Sequence, residues 1–160
     1  FVLHPEYWGK TTHDLRLESQ DDEKYHIASQ EFNRQNRLFV YHEDWLIHDR
    51  AKYRLHSSEV KDGLEPGDEL PRTVPIRDKR VLILICYEVL FPEDYLLQNK
   101  GNVDLVLHMI GEPMFNEDQR EGWIAMQQAI SIMYQCPVIC CCGGKKGRMN
   151  ITGITERSPK

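Results

Sequence analysis

At 160 residues, with 41% hydrophobic and 28% charged side chains, the chain has the length and composition of one globular domain that can bury a core, and disorder is excluded as a description. A net charge of -5, from 25 acidic against 20 basic residues without a long basic run, disfavours a nucleic-acid partner. Five cysteines, three of them consecutive at Cys140, Cys141 and Cys142, do not suit a secreted disulfide framework; with no transmembrane-length run and no leader-like opening, they predict a cytoplasmic protein without membrane contact.

Phe1 to Leu3 reads as a strand end closed by Pro5, and the loop behind it carries Glu6, Tyr7 and Trp8. Lys10 to Lys24 is polar and acidic without a helical stripe, which predicts a loop or a frayed helix. Short β-prone runs at Tyr25–Gln30, Arg37–Tyr41 and Trp45–His48, separated by polar, turn-like stretches, predict an antiparallel strand set. Ser57 to Arg72 is a long irregular excursion with Gly63, Pro66 and Gly67, of the kind that often carries function.

Arg80–Ile85 reads as a strand whose Val81–Ile85 form a continuous apolar run, as a strand covered on both faces requires, and Cys86 stands at its end. A helix is expected over Pro92–Lys100, stopped by Gly101, and a second buried strand over Val103–His108. Apolar groups at Trp123, Met126, Ile130 and Met133 have helical spacing within Glu117–Gln135, and the strand Val138–Cys142 follows. Strand, helix, strand, helix, strand is an α/β order with a parallel core. Consecutive strand residues point to opposite faces, so the three cysteines cannot converge on one metal ion and are expected to be core. The Gly143–Gly147 run lacks phosphate-loop spacing and reads as a turn.

A cysteine at a strand-to-helix elbow lies near a helix N-terminus, which would lower its thiol pKa. The run Ile85–Cys86–Tyr87–Glu88 with Phe91–Pro92–Glu93 resembles the nucleophile motif of the nitrilase superfamily of carbon–nitrogen hydrolases. Val2–Tyr7 looks like the block that supplies that family's catalytic glutamate, here Glu6. Arg50–Leu55 looks like its lysine block, here Lys52, and Leu64–Glu69 resembles the Pro–Gly–Asp–Glu stretch that follows. The three blocks stand in the family's order, and the resemblance runs from Phe1 to about Gly153. It implies an α/β fold of the α-β-β-α sandwich type, self-association as a homodimer or larger oligomer, and hydrolysis of a small amide or N-carbamoyl compound with no metal and no organic cofactor.

The residue types fit that chemistry. Thiol attack on an amide needs a base that takes the thiol proton and returns it to the leaving amine, a task for Glu6; the negative oxygen that develops needs a cation and a backbone N–H, tasks for Lys52 and the Tyr87 amide. Glu59 stands where relatives often carry a second active-site glutamate. Glu88 is expected to be a structural acid paired with an arginine. Ile110 and Glu112 lie in the His108–Pro113 run, where the family builds its substrate pocket; Ile110–Gly111–Glu112–Pro113 resembles a run of N-carbamoylputrescine amidases, in which an acid would pair with a substrate amine.

The segment between Glu6 and Lys52 is shorter than in the family, Ile130–Tyr134 and Cys142 replace its usual residues, and the opening at Phe1 and close at Lys160 predict a domain over 1–160 that is incomplete at both ends. These departures motivate a second reading, a catalytically inactive binding or regulatory module of the same fold.

Overall fold

A computed structural model describes residues 1–7, 11–20, 22–99, 101–111, 117–143 and 150–155, the last of these by backbone alone. The elements are β1 (Val2–Leu3), α1 (Thr12–Gln20), β2 (Tyr25–Phe32), β3 (Gln35–His42), β4 (Trp45–Ala51), α2 (Ser57–Lys61), β5 (Thr73–Ile76), β6 (Lys79–Ile85), β7 (Leu105–Ile110), α3 (Glu117–Tyr134), β8 (Val138–Cys142) and β9 (Asn150–Thr155). Four strands form one sheet in the order β1-β2-β3-β4, and five form a second in the order β5-β6-β7-β8-β9. In the second sheet β6, β7 and β8 run parallel, while β5 and β9 are antiparallel edges.

Side-chain alternation explains the layering. In β6, Val81, Ile83 and Ile85 face the other sheet and meet Leu3, Ile27, Leu38 and Val40, while Leu82 and Leu84 face outward into a cluster with Tyr95, Val106, Ile130 and Trp123 on the α3 side. Both faces of β6 are therefore covered, which is why the run has no polar alternation. Leu15 of α1 covers the outer face of the first sheet against Ala28, Phe39 and Tyr41. Helix, sheet, sheet, helix is the expected α-β-β-α sandwich. Cys141 points into the intersheet core and Cys140 and Cys142 away from it, as alternation demands.

Tight turns set the hairpin registers. Asn33 and Arg34 at φ 51° and 61°, then Glu43 and Asp44 at φ 47° and 73°, take the left-handed pairs of two-residue hairpin turns whose twist matches the flanking strands.

Three expectations need correction. Residues 12–20 form a regular helix, because Thr11 and Asp14 cap it: the Asp14 amide donates to the Thr11 hydroxyl at 3.2 Å and the Thr11 amide to the Asp14 carboxylate at 2.8 Å. The helix expected over Pro92–Lys100 is not α-helical over Pro92–Asn99, and Lys100 lies outside the described residues. A 3-10 turn covers Pro92–Asp94 and hydrogen-bonded turns follow to Asn99, since Asp94 is drawn to Arg54 and the Asn99 side chain bridges Pro71, Thr73 and Tyr95. The Ser57–Arg72 excursion contains α2, with His56 as its N-cap and Glu59 closing the capping box. Strands β5 and β9 lie outside the strands expected from the sequence. Among the described residues no helix is long and apolar enough to cross a membrane.

Candidate active site

Glu6 follows β1, Lys52 follows β4 and Cys86 follows β6, so the sandwich brings three strand ends to one edge of the intersheet space. Lys52 is 1% exposed, and its Nζ donates to Glu6 Oε1 at 2.6 Å and to Glu59 Oε2 at 2.8 Å. Glu59 reaches this point because α2 turns it inward, where it also accepts from the His56 amide at 2.7 Å and from the Tyr7 hydroxyl. Glu6 Oε2 accepts from the Gly111 amide at 3.1 Å. A Cβ at residue 111 would stand 2.9 Å from that oxygen, so the approach of β7 to the carboxylate depends on glycine.

Asn36 is a further member of the site, which no local sequence pattern singles out. Fully buried on β3, it donates from Nδ2 to both Glu6 Oε1 at 2.7 Å and Glu59 Oε1 at 2.9 Å, and its carbonyl receives the Lys52 amide at 2.7 Å. The two carboxylates are thus bridged by one ammonium and one amide.

Burial opposes the charge on Lys52, but Glu6, the Cys86 sulfur and Glu59 outweigh it and hold its pKa above the ordinary lysine value. Burial likewise opposes the Glu59 carboxylate, and here Lys52 and the hydrogen bonds prevail, so its pKa is lowered. The Cys86 thiol moves the other way from the elbow expectation. Burial and the facing Glu6 carboxylate push its pKa up, against the lowering pull of Lys52 and the Gly111 amide. The helix behind it is only a five-residue 3-10 turn, Cys86–Leu90, too short to supply the anticipated dipole. Burial and the facing carboxylate thus both favour the neutral thiol over the thiolate.

Cys86 takes φ 46°, a left-handed conformation that costs a residue with a Cβ free energy and that surrounding contacts must enforce. Two sets of contacts do so. Glu88, 1% exposed, accepts from the Ile85 amide at 2.8 Å, from the Tyr53 amide at 2.8 Å, and from two nitrogens of the buried Arg50 at 2.7 Å each, which is the arginine pair expected of it. On the other side His108 Nε2 lies 3.1 Å from the Cys86 carbonyl and Nδ1 lies 3.1 Å from Gln127 Nε2. A carbonyl and an amide NH2 on these partners fix the neutral tautomer with hydrogen on Nε2. Complete burial depresses the His108 pKa to about 4, consistent with that neutral ring.

A cavity of about 500 Å³ opens beside Cys86, with walls from His56, Tyr87, Leu90, Trp123 and Met126. Tyr87 is set edge-on between His56 and Phe91. Ile110 is 2% exposed and packs with Cys140 and Cys142 instead of lining this cavity. Glu112 lies outside the described residues. The structure therefore brings Glu6, Lys52, Glu59 and Cys86 together, puts Tyr87 in the adjoining wall and sets Ile110 behind it.

No protein-family model matches the sequence, and no curated protein sequence matches it. Solved structures do. An amidase from Nesterenkonia sp. superposes with a TM-score of 0.74 at 19% identity, over 91% of this chain and 64% of that one. A CN-hydrolase superfamily protein from Xanthomonas campestris gives 0.70 at 17%, over 88% and 62%, and a carbon–nitrogen hydrolase from Helicobacter pylori 0.69 at 16%, over 88% and 55%. The fold is that of the carbon–nitrogen hydrolases. The chain spans under two thirds of the length of these three relatives, so it shares the carbon–nitrogen hydrolase sandwich over most of its own residues and only part of theirs. The Nesterenkonia amidase, in a variant form, carries the acetamide moiety of fluoroacetamide covalently added at its active-site cysteine.

Proposed function

We propose that this protein is a carbon–nitrogen hydrolase that cleaves a small amide through a thioester on Cys86. The observation that carries the reading is the convergence of a buried carboxylate, a buried ammonium and a thiol from three separate strand ends beside one cavity. Such a cluster is costly to bury and contributes little to stability that apolar residues would not supply, so a chemical role explains it better than packing does.

Glu6 takes the proton from the Cys86 sulfur as the sulfur attacks the carbonyl carbon. The oxyanion is stabilised by the Lys52 ammonium and the Tyr87 amide. Glu6 then returns the proton to the nitrogen, the carbon–nitrogen bond breaks, and ammonia or an amine leaves a thioester behind. Water, deprotonated by Glu6, attacks the thioester; the acid departs and the proton goes back to sulfur. Glu59 and Asn36 are positioning residues that hold Lys52 and Glu6.

Leu90, Trp123, Met126 and the Tyr87 ring make the cavity wall largely apolar, with no charged side chain among its described lining residues. That favours a neutral primary amide of modest size over an ionic substrate. N-carbamoyl amines are the second substrate class, motivated by the resemblance around Glu112. A panel of aliphatic amides, carbamoyl amines and ω-amides assayed for ammonia, with intact-mass detection of an acyl adduct, tests the reading. An adduct of substrate-acyl mass that vanishes in Cys86→Ala is expected; an adduct that persists in that variant excludes the mechanism. Inactivity on the whole panel with Cys86 inert to iodoacetamide would favour the non-catalytic module.

A further inference from the structure

On the outer face of the first sheet, away from the cavity, three potential metal ligands meet. His4 leaves the end of β1, His26 projects from β2 beside it, and Glu18 hangs from α1 above them; one ligand atom from each lies within 4.8 Å of the others. The strand register explains the meeting: Val2 pairs with His26 and the His4 amide donates to the Ile27 carbonyl, so the two imidazoles come to one face with ring centroids 6.0 Å apart. Both histidines are buried, at 6% and 4% exposure.

The environment of His26 is the informative part. Its Nε2 is 2.9 Å from Asp22 Oδ1, a carboxylate that can only accept, so Nε2 is the donor in this contact. His26 Nδ1 is buried, makes no hydrogen bond, and faces Glu18 Oε2 at 3.9 Å. An imidazole whose far nitrogen donates to a carboxylate while its near nitrogen is bare is the arrangement that orients a metal-binding histidine and raises its basicity. Ligands about 2.1 Å from a tetrahedral zinc are about 3.4 Å apart, so the His26–Glu18 pair needs only a small closure. The Glu18 side chain, 34% exposed, has the freedom to make it.

We propose that His4, Glu18 and His26 form a binding site for one divalent transition-metal ion, zinc being the best fit to two imidazoles and a carboxylate, with water as the fourth ligand and Asp22 as the orienting carboxylate. Asp22 does not itself supply a ligand, because its Oδ1 is engaged by His26 and its Oδ2 by Lys24 Nζ at 2.9 Å. The site is structural: it ties α1 to β2 and to the residue two before Glu6. It stands independently of the hydrolytic reading, and its test does not use activity.

The test is zinc titration by calorimetry of the full chain in a Cys86→Ala background, which removes the active-site thiol, followed by thermal unfolding with and without zinc and by the absorption spectrum of the cobalt(II) form. One saturable equivalent is expected, with a melting temperature that climbs with free zinc because only the folded state binds. The cobalt spectrum should be tetrahedral and lack thiolate charge transfer. Glu18→Gln, at a partly exposed helix position where folding is preserved, and His26→Ala should each abolish saturable binding, and Asp22→Ala should weaken it about 10- to 100-fold. Absence of saturable binding in the Cys86→Ala protein, binding undiminished by Glu18→Gln, or a thiolate band in the cobalt form would overturn the assignment; the first result would mean that His26 is held by its carboxylates as an ordinary ion pair.

Discussion

Glu88→Gln is the sharpest test of how the elbow is held. The wild-type carboxylate accepts four hydrogen bonds, two on each oxygen: Arg50 and Tyr53 donate to Oε1, Arg50 and Ile85 to Oε2. Glutamine keeps the shape but replaces one oxygen by an NH2 group, and in either orientation that group faces two donors. Arg50, 3% exposed, is then left with a charge that no anion offsets. Breaking a buried pair by removing one partner costs about 3–5 kcal/mol. For a chain of this size each kcal/mol lowers the melting temperature by about 2–4 °C, so a fall of about 6–20 °C is expected. Adding Arg50→Met removes the stranded charge and should restore part of the loss, with a coupling of about 0.5–3 kcal/mol in the double-mutant cycle. The measurements are thermal and urea unfolding of the four proteins, with iodoacetamide labelling of Cys86 as the local readout. A Glu88→Gln loss below about 1 kcal/mol, or strictly additive variants, would show that the pair is not what holds Ile85 and the strained Cys86 in place.

Four further outcomes follow from the same geometry. Gly111→Ala puts a Cβ 2.9 Å from Glu6 Oε2, and the displaced carboxylate should lower kcat for amide hydrolysis about 10²-fold while the protein stays folded by circular dichroism. Because burial and Glu6 raise the Cys86 pKa, the iodoacetamide rate should keep rising up to pH 9; a plateau below pH 7 would reveal a preformed thiolate. His108 has its folded pKa depressed to about 4, so the unfolded chain binds more protons between that value and about 6.5; stability should fall as pH drops through this window, by about 3 kcal/mol at most, and His108→Phe should flatten that slope in urea titrations at pH 4 to 7. The resemblance implies self-association, and Leu97 at 80% exposure, in the segment after Cys86, and Ile132 at 67%, on α3, leave apolar surface for it, so light scattering should give a dimer that Leu97→Asp with Ile132→Asp converts to monomer; a wild-type monomer at micromolar protein would refute the pairing.

What could be read in the sequence was what local pattern determines. The β6 run announces its two-sided burial because Val81 to Ile85 are all apolar, and the alternation of Cys140, Cys141 and Cys142 follows from the strand period alone. Glu6, Lys52 and Cys86 were legible as short blocks, each tied to a strand end. Asn36 was not: an asparagine next to a hairpin turn looks like turn chemistry, and only the pairing of β3 with β4, which delivers Lys52 beside it, together with the arrival of β1, makes it a bridge between two carboxylates. The His108–Gln127 contact was hidden for a similar reason, since it joins a parallel strand to a helix 19 residues away and neither residue carries a local signal. At α1 the sequence does not separate a loop from a helix, because the helix rests on the Thr11–Asp14 cap and a single buried apolar residue, Leu15, too little to make a stripe, while β5 is an edge strand interrupted by Pro75.

In the proposed reaction, charge balance accounts for the meeting of two carboxylates and one ammonium beside the thiol. Two carboxylates and one ammonium leave the buried cluster with a net charge of -1, and passing the proton from Cys86 to Glu6 leaves that total unchanged. The transfer therefore relocates a negative charge by a short distance, from one carboxylate to sulfur, without adding a charge to a place where desolvation would oppose it. A thiolate formed with no carboxylate to take the proton would have to expel it to water, against the burial that raises the thiol pKa. Glu59 keeps Lys52 anchored through the transfer: when Glu6 becomes neutral its hold on the ammonium weakens, and the bonds of Glu59 to Nζ and to the His56 amide remain. The ammonium is then free to turn its remaining donor toward the oxygen on which the next negative charge appears, with no change of its own protonation state, since its pKa is already raised.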